Sequence, residues 1–218
     1  MIKVALIAPL DSWPTRVTFA FIRRVKCYLE GKLSKDAQID EFPVLAANRI
    51  AWWLSKAFNS GYDLVVYAGH GLPDKLIGQL IYPITIWIPM QDIWLKPKTK
   101  IFYAVACLTG RRLGPTLVKY RTRSYVGNID YTFVAYKKPE RNYMEDFIDT
   151  WMEFVRALVA GKTAGRAFEA FKDRMRYYIR LYQLNAHRWP YARWYAYTLS
   201  RNLNGFRLYG DPDVTLYD

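Results

Sequence analysis

Residues 63–71 read DLVVYAGHG, and residues 100–107 read KIFYAVAC. Each segment is a continuous apolar run of strand length that ends in a chemically reactive side chain, His70 in one case and Cys107 in the other. A solid apolar run, rather than an alternating one, marks a strand buried on both faces, as in the parallel sheets of α/β domains. In such sheets ligands sit beyond the carboxyl ends of the strands. If the two runs are parallel neighbours, His70 and Cys107 emerge together at that edge.

The rest of the chain fits the same architecture. Lys3 to Leu10 (KVALIAPL) is a further buried strand, closed by Pro9 and Asp11. Thr15 to Leu29 places Phe21, Ile22, Val25, Tyr28 and Leu29 at helical spacing, and Gly31 stops the helix. Ile39 to Val44 is a second strand, and Asn48 caps a helix running to Phe58. Leu76 to Met90, rich in Ile, Tyr and Trp with interspersed prolines, suggests a short hairpin or edge strands. Ser124 to Gly127 is one more strand. From Asp146 the period changes: Phe147, Ile148, Trp151, Phe154, Val155, Leu158 and Val159 form one helical stripe ending at Gly161, and Ala164 to Tyr182 forms a second. His187 to Tyr197, dense in Trp, Tyr and Arg, has no clear period. Phe206 to Tyr217 holds Gly210-Asp211-Pro212 and a final short strand. Strands alternating with helices predict a layered α/β domain with a mostly parallel central sheet flanked by helices.

Composition narrows the class. The 218 residues are 52% hydrophobic, which excludes a disordered chain. No apolar run approaches the ~20 residues that span a bilayer, and Met1 to Pro9 lacks the features of a secretory signal. Two cysteines, Cys27 and Cys107, make no disulfide framework, so a reducing, cytoplasmic location is the expectation. The net charge of +13 favours anionic partners, nucleic acid or a membrane surface among them. The positive residues are scattered, however, and no nucleic-acid motif accompanies them, so a solvated basic surface explains them equally. Aromatic residues beside arginine between Arg188 and Tyr197 could stack on bases, or pack, or form a dimer contact.

The pairing of His70 with Cys107 carries the chemistry. A thiolate is a nucleophile, and an imidazole within reach withdraws its proton and later protonates a leaving amine. Glycines on both sides of His70 let a carbonyl approach the backbone, and the N–H groups of Gly71 and Cys107 are candidates for an oxyanion hole. Taken singly, a strand-end cysteine is more often a small buried hydrophobe, and a lone histidine a satisfied structural side chain. The joint pattern is what counts, because the chain has only two histidines and two cysteines. Cys27, expected on or near the apolar face of its helix, and His187 read as structural.

The segments YAGHG (Tyr67 to Gly71) and FYAVAC (Phe102 to Cys107) resemble the His-Gly and Ala-Cys strand-end motifs of caspase-fold cysteine peptidases. That group holds caspases, gingipains, legumains, clostripain, separases and bacterial CHAT domains. SYVGNID (Ser124 to Asp130) is similar to the strand after the nucleophile in separase and CHAT domains, and FRLYGDPDVTLY (Phe206 to Tyr217) to the end of gingipain-type catalytic domains. The resemblance implies a caspase-like three-layer sandwich and one peptidase domain over residues 1–218; residues 176–203 depart from the family's pattern and are expected to form an inserted or appended helical element. It implies a cysteine endopeptidase in which His70 is the base, Cys107 the nucleophile and Gly71 part of the oxyanion hole, with no cofactor and no metal. Asp130 and Asp11 stand where relatives carry the residue that meets the P1 side chain, and a carboxylate there would select Arg or Lys. Arg16 in the pocket would instead select an acid. The expected partners are a protein or peptide substrate and an activating partner that orders the pocket loops. Two other readings stand beside this one: a catalytically idle caspase-fold binding or regulatory module, and a basic protein that binds nucleic acid or a membrane surface.

Overall fold

A computed structural model describes residues 1–9, 13–33, 36–44, 61–77, 85–86, 98–120 and 122–218. Its main sheet comprises β1 (Ile2–Pro9), β2 (Ala37–Val44), β3 (Tyr62–Ala68), β7 (Thr99–Val105), β8 (Thr122–Asn128) and β11 (Phe206–Gly210). The order across the sheet is β11-β8-β7-β3-β1-β2. Every pairing is parallel except β11 against β8. A small antiparallel sheet joins β4 (His70–Leu72), β5 (Lys75–Ile77) and β6 (Thr85–Ile86), and β9 (Lys137–Lys138) pairs with β10 (Arg141–Asn142); most of the hairpin expected over Leu76 to Met90 lies outside the described residues. The expected strand cap Asp11 and the expected helix from Asn48 to Phe58 lie outside the described residues.

The strands feed two cores. Leu64, Val66 and Ala68 of β3 and Ile101, Tyr103 and Val105 of β7 point to one face, while Val65 and Tyr67, and Phe102 and Ala104, point to the other. All of these are at most marginally exposed, as continuous apolar runs require. On the first face lie α1 (Trp13–Leu33), α3 (Tyr143–Val159), α4 (Ala164–Leu184) and α5 (Ala192–Gly205); α2 (Leu113–Tyr120) covers the second through Leu113 and Leu117. The result is a three-layer sandwich. Tyr103, at the centre of β7, meets Phe154 of α3 at a ring distance of 4.6 Å and Phe171 of α4 at 6.0 Å. Burial of an aromatic side chain of this kind contributes roughly 2–3 kcal/mol.

Local signals end the helices where the strands must resume. Asn142 caps α3 by accepting from the Glu145 N–H, and Thr163 caps α4 by accepting from the Arg166 N–H. Between them Gly161 takes φ +80°, a left-handed conformation that favours glycine. The segment 176–203 is helical for most of its length, shared between the end of α4 and most of α5, and its buried face (Tyr178, Tyr182, Ala192, Tyr195, Ala196, Leu199) belongs to the main core. Cys27 is exposed on α1, contrary to its expected place near the apolar face. It lies two positions from Val25, about 200° around the helix.

Candidate active site

β3 and β7 are the central strands of the sheet, and they run parallel with Ala68 opposite Val105. His70 and Cys107 each stand two residues beyond that pair, so the register alone brings them to one edge. The Gly69 N–H donates to the Val105 carbonyl oxygen at 3.1 Å and ties the two strand ends together. Both side chains line one small open cleft, together with Gly69, Val105, Thr132, Val134 and the start of α1 (Pro14, Thr15, Thr18).

Steric crowding explains the glycines around His70. A Cβ on Gly69 would fall 2.5 Å from Pro9 Cγ and 2.9 Å from the Tyr67 hydroxyl. That hydroxyl lies within hydrogen-bond distance of two carbonyl oxygens, His70 at 2.7 Å and Ile77 at 2.6 Å, and so holds the backbone of the histidine against the hairpin. A Cβ on Gly71 would fall 2.5 Å from the Cys107 carbonyl oxygen and 2.5 Å from Thr109 Cγ2. Only glycine allows the histidine-bearing backbone to lie this close to the cysteine-bearing one.

After Cys107 the chain turns sharply. Leu108 has φ +61°, the one positive value at a non-glycine among the described residues. Its N–H donates to the Asp130 carbonyl oxygen at 2.9 Å, and the Gly110 N–H to that of Asn128 at 2.8 Å. Residues after β8 thus form the far wall of the site, and the Thr132 N–H donates to Cys107 Sγ at 3.3 Å. Burial pushes the Cys107 thiol above its ordinary pKa, and the negative charge of Asp130 adds to this; the Thr132 N–H works the other way.

Two buried asparagines brace that wall. Asn128 accepts from the Asp130 N–H at 2.9 Å and donates to the Tyr131 carbonyl oxygen and the Thr132 hydroxyl. Asn202, on α5, accepts from the Phe133 N–H at 2.9 Å and donates to the Phe133 carbonyl oxygen at 2.8 Å. Gly205 leaves room for Asn128, whose Oδ1 would lie 2.0 Å from any Cβ placed there. Sequence reasoning missed both asparagines. Asn128 sits in plain view at the end of SYVGN, whereas Asn202 acts across 69 positions of sequence.

The structure therefore brings His70, Gly71 and Cys107 together. Asp130 lies beside them but is not among the residues that line the cleft; its carboxylate is paired with Arg201 of α5, through both Nε and Nη2. That guanidinium, with the Tyr131 N–H, holds Asp130 below the usual carboxylate range. Asp11 lies outside the described residues. Arg16 is exposed in the first turn of α1 and does not line the cleft. His187 is exposed on the connection between α4 and α5. Among the described residues no group of three His, Cys, Asp or Glu side chains could hold a metal ion, and no helix is long and apolar enough to cross a membrane.

Comparison with known proteins adds three findings. The sequence model of peptidase family C25 matches residues 14–217. No curated protein sequence matches the chain. Among solved structures, the complex of the pro- and mature domains of Porphyromonas gingivalis RgpB superposes with a TM-score of 0.53 at 12% identity, covering 98% of this chain and 48% of that one. At that identity the likeness is one of fold, and the chain spans about half the length of the RgpB structure.

Proposed function

The chain belongs to peptidase family C25, and from that premise we propose that it cleaves peptide bonds with Cys107 as nucleophile and His70 as general base, after a basic P1 residue. The observation that carries this reading is the convergence of both side chains on one cleft, each two residues beyond an in-register pair of central parallel strands. As the Cys107 sulfur attacks the substrate carbonyl carbon, its proton passes to the imidazole of His70. Burial disfavours a standing thiolate at Cys107, so the sulfur needs a base within reach to take its proton. The carbonyl oxygen takes up the negative charge and receives the N–H groups of Gly71 and Cys107. The close approach of these two backbones, which a side chain at Gly71 would prevent, supports that role. Collapse of the tetrahedral species breaks the C–N bond, and His70 gives its proton to the departing amine. Water then attacks the thioester and gives a proton to His70, the C–S bond breaks, and His70 returns that proton to the departing sulfur, so the acid product leaves and Cys107 is again a thiol.

What supports a basic P1 residue is the carboxylate of Asp130. In the resting chain it takes a guanidinium from Arg201, and a substrate arginine would exchange with that partner in the same charge-assisted pairing. Asp11, the other acid expected at the specificity pocket, is retained as a second contributor. With two cysteines and no disulfide framework in the sequence, we propose action in a reducing compartment.

The test is hydrolysis of short fluorogenic peptides carrying Arg, Lys, Asp or Asn at P1. Cleavage after Arg or Lys that disappears in both Cys107→Ala and His70→Ala is the expected result. Cleavage after Asp alone would keep the dyad and refute the role of Asp130. No cleavage of any peptide, with no labelling of Cys107 by a thiol-reactive peptide probe, would refute the peptidase reading in favour of an idle binding module.

A further inference from the structure

From Arg174 to Gly210 the sequence holds no Asp or Glu, yet it holds seven arginines, and Trp and Tyr recur throughout. On α5 the periodicity sorts these residues into two faces. Ala192, Tyr195, Ala196, Leu199 and Asn202 are buried, while Arg193, Trp194 and Tyr197 face outward with Arg201 one turn on. Trp194 is 58% exposed and Tyr197 50%, where a solvated helix face would carry charged and small polar side chains. The two rings lie against each other at 5.9 Å. Arg201 continues the strip, donating to the Tyr197 hydroxyl at 3.0 Å and reaching Asp130. Tyr131, 59% exposed, adjoins it beside the cleft. At the other end Lys138 covers Tyr191. Arg188 and Arg193 are exposed and have no ion-pair partner among the described residues.

We propose that this strip, centred on Arg193, Trp194 and Tyr197, is a docking surface for an acidic polypeptide segment. Trp, Tyr and Arg are the residue types that dominate binding energy at protein interfaces, and a contiguous exposed group of them marks an interaction surface. The guanidinium groups of Arg188 and Arg193, with no ion-pair partner among the described residues, favour carboxylates, which arginine pairs in a forked geometry. Single-stranded nucleic acid fits less well. Base stacking needs open ring faces, but Lys138 sits over the Tyr191 ring at 4.2 Å, Arg201 lies near the Tyr197 and Phe133 rings, and Trp194 leans on Tyr197. Since the strip reaches the loop that carries Thr132, a segment seated on it lies next to the cleft. This location makes it a second contact for a protein substrate, a role that rests on the peptidase reading, although the binding itself does not.

Binding is therefore measured on the Cys107→Ala chain, where cleavage cannot intervene, by fluorescence polarisation of a short fluorescein-labelled peptide rich in Glu and Tyr. The expected result is saturable binding that weakens as salt rises and falls about tenfold or more in the Trp194→Ala/Tyr197→Ala chain. Arg193→Glu weakens it further, and a Lys-rich peptide of equal length does not bind. The exposed Tyr177→Ala change, on α4, is the control and leaves binding as it was. Absence of binding, an unaffected double variant, or an equal loss in the control would overturn the proposal. Tighter binding of oligothymidylate, or of vesicles containing phosphatidylserine, through the same residues would overturn the class of partner. Circular dichroism confirms that each variant retains its helices.

Discussion

Replacing Gly71 by Ala tests how closely the histidine and cysteine backbones must approach. The added Cβ would meet the Cys107 carbonyl oxygen and Thr109 Cγ2 at 2.5 Å each, and Ala106 Cβ at 3.1 Å, whereas ordinary contact begins at 3.4 Å. Two of the contacts are short by about 0.9 Å, and neither neighbour can yield easily. One is main chain, and Thr109 is fully buried. The strain therefore moves β4 or the turn after Cys107, at a stability cost of about 1–3 kcal/mol. In a domain of this size that lowers Tm by roughly 2–4 °C per kcal/mol, so the protein stays folded. A misplacement approaching ~1 Å at the reacting atoms costs on the order of a hundredfold in rate. The assay is kcat/KM for a fluorogenic peptide with Arg at P1, read beside a thermal melt. Gly31→Ala is the comparison, because nothing lies within 4 Å of a Cβ there. It lies in the last turns of α1 and gains about 0.5–1 kcal/mol with activity unchanged. A Gly71→Ala chain that melts and cleaves like the wild type would refute the argument that glycine is needed for this approach.

Three further outcomes follow from the geometry. Alkylation of Cys107 by iodoacetamide reaches half its limiting rate at a higher pH than free cysteine; Asp130→Asn removes a negative charge that raises the thiol, so the midpoint moves down, and the preference for P1 Arg over a neutral residue falls with it. Asn202→Ala strips the Phe133 N–H and carbonyl of their partners, costs about 2–4 kcal/mol in a denaturant melt, and raises the Cys107 midpoint as the Thr132 N–H loosens from the sulfur. Arg141→Met leaves the mostly buried Asp146 without its two-pronged partner; about 3 kcal/mol is lost at neutral pH, and the deficit shrinks as acid neutralises the carboxylate, whose pKa burial already raises.

What the sequence made legible, and what it hid, divides along the range of the interactions. DLVVYAGHG and KIFYAVAC could be read because a strand buried on both faces has no polar positions, and because strand-end glycines report local crowding. The pairing of Arg201 with Asp130 spans 71 positions, and no pattern in either neighbourhood announces it. Residues 187–197 show no readable period for another reason. Helical periodicity is recognised by contrast between apolar and polar faces, and here Trp and Tyr stand on the outer face while Ala, Tyr and Leu stand on the inner one. Cys27 departs from its expected place because the buried stripe of α1 is narrow: Phe21, Ile22, Val25 and Leu29 are buried, and the cysteine falls on the opposite side.

The brace on the turn after Cys107 comes from α5 and β11, which follow that residue by some ninety positions in the sequence. During synthesis the strands bearing His70 and Cys107 leave the ribosome early, but the wall that carries the Thr132 N–H has neither Asn202 nor the paired edge of β8 until residues 202–210 have emerged. The order of elements along the chain thus sets when the wall beside Cys107 can form.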